Sequence, residues 1–431
     1  MRNQSLTLLE FNEVNFDLIQ RYIEDGMSLP NFERLIKSGI KESSSEQEYE
    51  LIEPWIQWPS VHTGLSAKEH SIFRLGDIVS YKGEQIFDIV HDWGLRVGCI
   101  SPMNASNEHR NYAFFIPDPW TQTSSDNSWQ SKAIHESISK AVNNNSAGEL
   151  NKKVLLKLAV ALAALLPVKS LTKLLRKFPA LKSKGFKRAI FLDLILTEVY
   201  ITLATKRSID FGVLFLNGLA HIQHHYFHSC PYSESTVENP SWYESGDPIG
   251  FALKYYDEII GNVLDLSGAE TLLATGLSQI PYENPIYYYR LKDHDSFIRK
   301  IGITYSAVYP RMTRDFLISF DNNKDRDAAK NTLEKLKLSG QSLFGKIDER
   351  DKELFVVLDY PHEITQACHL LNEHDQSIIE MGNEVNFVAL KNGHHSNKGY
   401  VLASNWQRFE FEEGSHIKNL NKTIKNFLKV S

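Results

Sequence analysis

Several features that define common protein classes are missing from this chain. Its 431 residues include three cysteines, which lie far apart and form neither a CxxC pair nor a spacing typical of metal sites. We interpret them as free thiols in a reducing compartment. The formal net charge of −6 argues against a dedicated nucleic-acid-binding protein, because affinity for a phosphate backbone depends on an excess of Lys and Arg. No nucleic-acid partner is therefore expected.

Targeting segments and familiar catalytic motifs are also missing. The start, MRNQSLTLLEFNE, has neither the apolar core nor the cleavage site of a secretory signal, so we expect a cytoplasmic protein. The apolar run Leu158 to Leu166 is far shorter than the roughly 20 residues that cross a bilayer. The sequence contains no glycine-rich phosphate loop, no nucleophile elbow and no HExxH.

One stretch lacks acidic residues altogether. Residues 151–192 contain eleven Lys or Arg and no Asp or Glu, which makes a basic island in an acidic protein. One interpretation is a pair of cap helices with solvated basic faces. The other is a surface within 152–188 that attracts anionic lipid or a phosphate-rich substrate, so that the cytoplasmic protein is peripheral to a membrane. Both hypotheses remain open at this level.

What is present indicates an α/β protein. Apolar residues make up 42% of the chain and charged residues 23%, as in ordinary globular proteins. Short apolar runs predict strands that alternate with helical spacing: Leu6–Phe11, Arg96–Ile100, Phe211–Leu216, Glu270–Ala274, Leu354–Leu358, Val385–Leu390 and Tyr400–Ala403. This alternation predicts a doubly wound, mostly parallel sheet, which binds ligands at the carboxyl ends of its strands.

The predicted organisation is one core with two insertions. The five segments are the first part of the α/β core at 1–150, a basic helical insertion at 151–208, the continued core at 209–304, a small α+β insertion at 305–383, and the C-terminal core strands and helix at 384–431.

Three blocks could carry chemistry. The first is Trp55–Leu65 (WIQWPSVHTGL), followed by EHSI from residue 69. In the second, Asn217 and His221 follow a predicted strand and are four residues apart, so both lie on one side of a helical turn. The third is Gly393–Gly399 (GHHSNKG), which precedes the last predicted strand.

In this order, the blocks resemble the alkaline phosphatase superfamily, in particular its type I phosphodiesterases and nucleotide pyrophosphatases. The resemblance implies an alkaline phosphatase-like core, with metal ligands at strand ends that correspond here to Asn217, His221 and His395. It also implies a small anionic or phosphorylated substrate. His224 and His225, one turn beyond His221, could supplement the site.

The chain departs from that family at several key positions. Asn12 stands where the family has its first Asp ligand, and Asn217 replaces a second Asp. The nucleophile position falls on Pro54, which has no nucleophilic group. The late Asp-His pair is replaced by Thr275-Gly276. These departures predict that one of the two metal subsites is lost. Two-metal phosphoryl transfer depends on both cations, so that mechanism is not expected here.

The remaining residues give the predicted site. We expect one weakly bound divalent metal, zinc or manganese, at Asn217, His221 and His395, or no metal. Glu10, Asn12, His62 and Thr63 are the candidate catalytic residues, with Glu10 or Glu13 as a base, Thr63 as the nearest hydroxyl and Glu53 as a further base. The candidate substrate-binding residues are His225, His394 and Arg311, of which the arginine is one of a pair suited to phosphate or carboxylate recognition.

Two functions follow. The first is a divergent hydrolase or transferase that acts on a phosphate or sulfate ester, including a phosphodiester or nucleotide-linked substrate. The alternative is a non-hydrolytic or inactive member that binds an anionic glycan or a nucleotide sugar. Retention of the strand-end histidines favours an enzyme, while loss of the nucleophile favours the binding protein.

Overall fold

A computed structural model describes residues 5–108, 110–143, 152–183, 185–233, 239–240, 242–243, 246–310, 314–371 and 377–430. The strands are β1 Ser5–Phe11, β2 Ile40–Ser44, β3 Val97–Ile100, β4 Phe114–Ile116, β5 Phe211–Leu216, β6 Ala269–Ala274, β7 Ser278–Leu291, β8 Ala307–Pro310, β9 Asp315–Ser319, β10 Lys337–Leu338, β11 Gln341–Ser342, β12 Asp348–Arg350, β13 Glu353–Val357, β14 His369–Leu371, β15 Ser377–Glu380, β16 Val385–Ser396 and β17 Lys398–Ala403.

The helices alternate with the core strands. They are α1 Phe16–Glu24, α2 Pro30–Ile36, α3 Pro54–Thr63, α4 Ala67–His70, α5 Ile86–Asp92, α6 Trp129–Asn143, α7 Lys152–Leu165, α8 Val168–Leu181, α9 Lys187–Arg207, α10 Gly218–Tyr226, α11 Pro248–Leu264, α12 His294–Lys300, α13 Asn323–Lys335, α14 Met381–Glu384 and α15 Leu420–Val430.

The chain divides into two compact units. The first comprises residues 1–281 and 393–431, and the second comprises residues 282–392. The chain leaves the first unit within β7 and returns within β16. The five-segment division made from the sequence stays a prediction.

The first unit is built on a seven-stranded sheet with the order β2-β17-β6-β1-β5-β3-β4. β1 pairs in parallel with both β5 and β6, and β3 pairs in parallel with β5 and β4, whereas β17 is antiparallel to both of its neighbours. The predicted α/β class with a mostly parallel sheet is therefore confirmed. Because Phe11 is opposite Leu216 and Glu10 is opposite Ala274, the three central strands end at the same edge.

Apolar cores cover both faces of this sheet. Leu9 and Phe11 contribute to the core that contains α1, α2 and α6–α11, while Leu6 and Leu8 contribute to the core that contains α3, α5 and α15. Alternate β1 residues thus face opposite layers, as the pleat of a strand requires. Glu10 lies in the same alternation as Leu6 and Leu8, so it points toward α3.

The second unit has its own core and its own sheet. β12, β13, β9 and β8 form a four-stranded antiparallel sheet, over which Phe316, Ile318, Leu354 and other residues are buried. The strand predicted at Leu354–Leu358 is β13 of this sheet and not part of the central sheet. The α13 helix begins after Asn322, whose side chain accepts a hydrogen bond from Asp325 N.

Candidate metal centre

The edge where β1, β5 and β6 end is lined by neutral polar groups. Asn12 follows β1, and its Nδ2 donates to Asn217 Oδ1, which follows β5, at 2.7 Å. Trp58 Nε1 donates to Asn12 Oδ1 at 2.7 Å and so ties α3 to the strand end. The two amides therefore bond to each other and stabilise this edge without adding charge.

Glu13 supplies the carboxylate of the site. Its φ of 57° places it in the left-handed region, which non-glycine residues rarely adopt. The backbone N–H of Glu13 donates to Thr275 O at 3.0 Å, and the residue is buried. Strain of this kind persists only where the surrounding structure fixes it. The turn directs the side chain toward α10 and the end of β16.

Nitrogen atoms from four residues converge on this carboxylate. Asn12 Nδ2 donates to Oε1 at 2.7 Å, and Gln279 Nε2 donates to Oε2 at 2.5 Å. His224 Nε2 and His395 Nε2 lie 2.9 and 3.0 Å from the same Oε2. Gln223, on α10, also donates from Nε2 to the backbone carbonyl of Glu13 at 2.9 Å. Glu13 is thus held in one position by two amides and faced by two imidazoles.

Each imidazole has a second partner on its other nitrogen. His224 Nδ1 lies 2.9 Å from Gly393 O, and since a carbonyl can only accept, Nδ1 carries the proton. His395 Nδ1 lies 3.3 Å from Glu53 Oε2. His395 Nε2 is buried and not aligned for a hydrogen bond with any described group. Both rings therefore present Nε2 to the same small space.

The electrostatics of the cluster reflect this crowding. Burial raises the pKa of Glu13, but the neighbouring His395 and His224 imidazoles outweigh it and hold the pKa well below the ordinary value. For His395, burial lowers the pKa, yet Glu13 and Glu53 outweigh it and raise the pKa to about 10. Without another cation, His395 is therefore protonated at neutral pH and compensates the buried carboxylate.

The same atoms fit a divalent metal. One carboxylate oxygen and one nitrogen from each of His224 and His395 lie within 4.8 Å of one another, and Glu13, His224 and His395 are the only such group among the described residues. Two histidines and one glutamate are a ligand set of catalytic zinc sites, which keep a further position open. Metal-bound histidines usually donate their other N–H to a carbonyl or carboxylate. Here Gly393 O lies next to Nδ1 of His224, and Glu53 Oε2 lies next to Nδ1 of His395.

Of the ligands predicted from sequence, His395 belongs to this triad. The oxygen of Asn217 accepts the hydrogen bond from Asn12, and His221 is exposed, with its ring 4.7 Å from that of His225. His224, three residues after His221 on α10, takes the place nearest Glu13. The set of Asn217, His221 and His395 therefore stays a prediction beside the triad.

The predicted catalytic residues do not form one cluster. Asn12 lies at the strand-end edge, next to Glu13. Glu10 and His62 face each other inside the core, with Oε1 and Nε2 2.6 Å apart and no exposed surface on either side chain. The Thr63 hydroxyl donates to Pro59 O at 2.7 Å within α3. The structure thus places Asn12 beside Glu13, the Glu10–His62 pair away from it in the core, and Thr63 within α3.

The remaining predicted contacts are less informative. His394 lies with its ring 6.4 Å from that of Tyr49, and its pKa is lowered by burial. His225 is half-buried on α10. Arg311 lies outside the described residues. Their roles in substrate binding stay predictions.

Sequence reasoning missed Gln279 and gave His224 only a supporting role. Glu13 and Glu53 were considered only as bases. A signal for His224 is present, since a residue three positions after His221 lies on the same side of a helix. Gln279 and Glu53 have no such signal, because they reach the site from distant segments of the chain.

Comparisons with known proteins give remote similarities. No protein-family model and no curated protein matches the chain. Phosphonoacetate hydrolase from Sinorhizobium meliloti 1021, in complex with phosphonoformate, is 10% identical, with 99% of this chain and 96% of that chain covered and a TM-score of 0.45. Human ectonucleotide pyrophosphatase/phosphodiesterase 5 is 12% identical, with coverage of 99% and 96% and a TM-score of 0.44.

Alkaline phosphatase from the Antarctic bacterium TAB5 is 10% identical, with 100% of both chains covered and a TM-score of 0.43. All three proteins are members of the alkaline phosphatase superfamily, the family that the sequence blocks resemble. At such low identities and TM-scores, the fold assignment rests on the strand order of this chain, and the chemistry rests on its own residues.

Proposed function

We propose that Glu13, His224 and His395 hold one divalent metal and that the protein is a metal-dependent hydrolase of phosphate esters. The observation that supports this most directly is the convergence of three ligand atoms within 4.8 Å at the carboxyl end of a mostly parallel sheet. Zinc fits a ligand set of two imidazoles and one carboxylate well, and manganese is the alternative.

The chain's own residues would prepare this site in three ways. Asn12 and Gln279 fix the carboxylate of Glu13 through donated hydrogen bonds. Gly393 O fixes the tautomer of His224, and Glu53 orients His395. When bound, a metal supplies a Lewis acid that polarises a phosphoryl oxygen and activates water.

The nucleophile in this proposal is water and not a side chain. Pro54, at the position that corresponds to the family nucleophile, is the first residue of α3. Proline suits that position because its fixed φ matches the helix and because a backbone N–H there would have no partner within the helix. The nearby Thr63 hydroxyl is engaged with Pro59 O. An activated water removes the need for either residue.

Charge supports an anionic substrate. Within the proposed ligand set, the Glu13 carboxylate offsets only half of a dication's charge; the neighbouring Asn12, Asn217 and Gln279 side chains are neutral, and Glu53 lies on the other side of the His395 ring. A loaded site would therefore attract a phosphate group. The order of the sequence blocks favours a phosphodiester or nucleotide-linked ester within that class.

Metal analysis of paired variants tests the ligand assignment. We expect purified wild-type protein to contain about one zinc or manganese per chain, and His224→Ala and His395→Ala to lose it. His221→Ala, a matched control on the same helix, should retain the metal. Loss of metal in His221→Ala but not in His224→Ala would overturn the triad in favour of the set predicted from sequence.

Turnover of an aryl phosphodiester tests the reaction. Activity should require the added metal and disappear in His224→Ala with the metal, while His221→Ala remains active. A wild-type protein that holds the metal but turns over neither aryl phosphodiesters nor monoesters contradicts the hydrolase. Binding of an anionic glycan or nucleotide sugar by that protein would support the non-hydrolytic alternative.

Glu53→Gln tests the orienting role of the second carboxylate. The amide keeps an oxygen near His395 Nδ1 but loses the charge, so metal affinity should fall by about 10- to 100-fold without loss of the fold. Competition with a chromophoric chelator measures this change. Unchanged affinity would show that Glu53 does not orient the ligand.

A further inference from the structure

Exposed apolar side chains cluster on α6, α7 and α8. Among the described residues, seven of the sixteen large hydrophobic side chains that face solvent lie between residues 129 and 178. They are Trp129, Leu155, Leu156, Val160, Val168, Leu175 and Phe178. Large exposed apolar patches on otherwise folded proteins mark interaction sites more often than chance.

The spacing shows that α7 is apolar on two sides. Leu162 and Leu165 are buried in the core of the first unit. Leu156 and Val160, four residues apart and therefore on one face, are 66% and 52% exposed. The inward face is satisfied by packing, whereas the outward face has no protein partner among the described residues that buries it.

The α8 helix repeats this arrangement. Leu174 and Leu181 are buried seven residues apart, while Val168 and Leu175, also seven apart, are 79% and 70% exposed. Burial of an isolated leucine or valine side chain is favourable by roughly 1.5–3 kcal/mol. Two successive helices therefore offer apolar surface that a partner could bury.

Exposed cations without a described acidic partner lie on or next to the same helices. Lys152, Lys169, Arg176, Lys182 and Arg188 are exposed, and no described acidic residue pairs with any of them. The whole stretch 151–192 contains no Asp or Glu. The partner must therefore combine negative charge with apolar groups.

A cavity of about 510 Å³ lies between α6 and α7 and continues the same surface. Trp129, Leu156 and Val160 line it together with Lys132 and Lys153 and with the ion pair between Lys157 and Glu136. An apolar cavity bordered by ammonium groups suits a lipid, whose headgroup is anionic and whose chain is apolar. Exposed tryptophan is also typical of side chains that lie at the boundary between headgroups and acyl chains.

Charge favours a bilayer surface over a second copy of the chain. A second copy that met this face through a two-fold axis would bring the same cations together, which is unfavourable. No helix among the described residues is long and apolar enough to cross a membrane. Short amphipathic helices with basic borders bind instead in the plane of the interface.

We propose that α7 and α8 dock onto the surface of an anionic lipid bilayer, with their exposed apolar side chains at the headgroup boundary and the bordering cations on lipid phosphates and carboxylates. The docking holds the first unit at the membrane without any helix crossing it. This surface is independent of the metal centre.

Vesicle sedimentation with the full chain tests the proposal. Wild-type protein should bind phosphatidylcholine vesicles that contain phosphatidylserine, and bind pure phosphatidylcholine vesicles at least about tenfold more weakly. Removal of two cations in Lys169→Gln/Arg176→Gln should weaken binding by about 30-fold. Removal of two apolar contacts in Leu156→Ser/Leu175→Ser should weaken it by at least about tenfold.

Matched controls come from exposed residues elsewhere in the first unit. Lys37→Gln/Lys422→Gln and Phe73→Ser/Val79→Ser should bind as the wild type does, since these residues lie outside the surface. His395→Ala should also bind normally, which separates this proposal from the metal centre. Circular dichroism identifies variants that have lost their fold, and in such a case single substitutions replace the pair.

Two results would overturn the proposal. The first is equal binding, or equal absence of binding, to vesicles with and without phosphatidylserine. The second is a stable dimer that Leu156→Ser/Leu175→Ser abolishes, without any binding to vesicles, because the apolar faces would then be covered by a second copy.

Discussion

Two glutamates three residues apart near the end of β1 meet histidines in very different surroundings. Glu10 faces His62 in the core, where neither side chain has exposed surface. Glu13 faces His224 and His395 beyond the strand end, where the two imidazole side chains are 16% and 14% exposed. The same chemical groups thus form a closed pair in one place and an accessible cluster in the other. Access to solvent, and not residue type, distinguishes a candidate active site here.

The two carboxylates also differ in how well they are satisfied. Glu13 is approached by nitrogen atoms from four side chains. Glu10 contacts one, and both Glu10 Oε2 and His62 Nδ1 are buried without a hydrogen-bond partner. Unsatisfied buried polar atoms are costly, so the closed pair adds specificity to the packing of α3 on β1 at some cost in stability.

The largest expected effect comes from breaking the closed pair. Glu10→Ala leaves the His62 imidazole buried without its partner, so the free energy of unfolding should fall by about 3–5 kcal/mol. Urea denaturation followed by circular dichroism measures the change. The double variant Glu10→Leu/His62→Leu, which removes both polar groups, should recover most of the loss.

A different outcome would reverse the comparison. If Glu10→Ala unfolds at the wild-type urea concentration but loses phosphodiester turnover, then Glu10 acts in the reaction and the closed pair is the functional one. Stability and activity must therefore be measured on the same preparation.

A somewhat smaller effect should appear when the pH of metal-free protein is varied. His395 has a folded-state pKa of about 10 against an ordinary value of 6.5, so its contribution to stability is complete below about 6.5 and is lost as the pH rises through 10. Glu13 has a lowered pKa, so its contribution is present above 4.5 and is lost as the pH falls. The cluster should therefore stabilise the fold most between these two ordinary values.

The His395→Gln variant isolates the contribution of the His395 charge to the free energy of unfolding. The difference in unfolding free energy between wild type and variant should shrink by about 2–4 kcal/mol from pH 6 to pH 10, given about 1.4 kcal/mol per pKa unit and some screening by solvent. Urea titrations at several pH values in the presence of a chelator measure it. A difference that does not change with pH would show that His395 is not charged in the folded protein.

The sequence predicted the fold better than the site. Phe211–Leu216 is a strand with the predicted bounds, because a continuous apolar run fits a parallel strand buried on both faces. The resemblance predicts the first ligand position at Asn12, one residue before Glu13. The left-handed backbone conformation of Glu13 turns the Glu13 side chain toward α10. The sequence does not predict this conformation, because the residue is not a glycine.

The partners of Glu13 could not be found from local patterns. His395 is 382 positions away along the sequence, and Gln279 is 266 positions away. The parallel pairing of β1 with β6 brings Gln279, just after β6, to the end of β1, and the antiparallel pairing of β17 with β6 brings His395, just before β17, to the same edge. By contrast, the basic character of 151–192 was visible in composition alone, because the absence of one residue type does not depend on the fold.

The smallest effect concerns the two amides at the accessible cluster, and it tests why amides rather than carboxylates suit this edge. Asn12 Nδ2 donates to both Glu13 Oε1 and Asn217 Oδ1. Asn12→Asp removes these donors and adds a negative charge beside Glu13, so metal-free protein should lose about 1–3 kcal/mol of unfolding free energy. Asn217→Asp is the matched control, since its oxygen can still accept from Asn12, and it should lose less. Equal losses in urea titrations of the two variants would mean that added charge alone, rather than the direction of the hydrogen bonds, sets the stability of this edge.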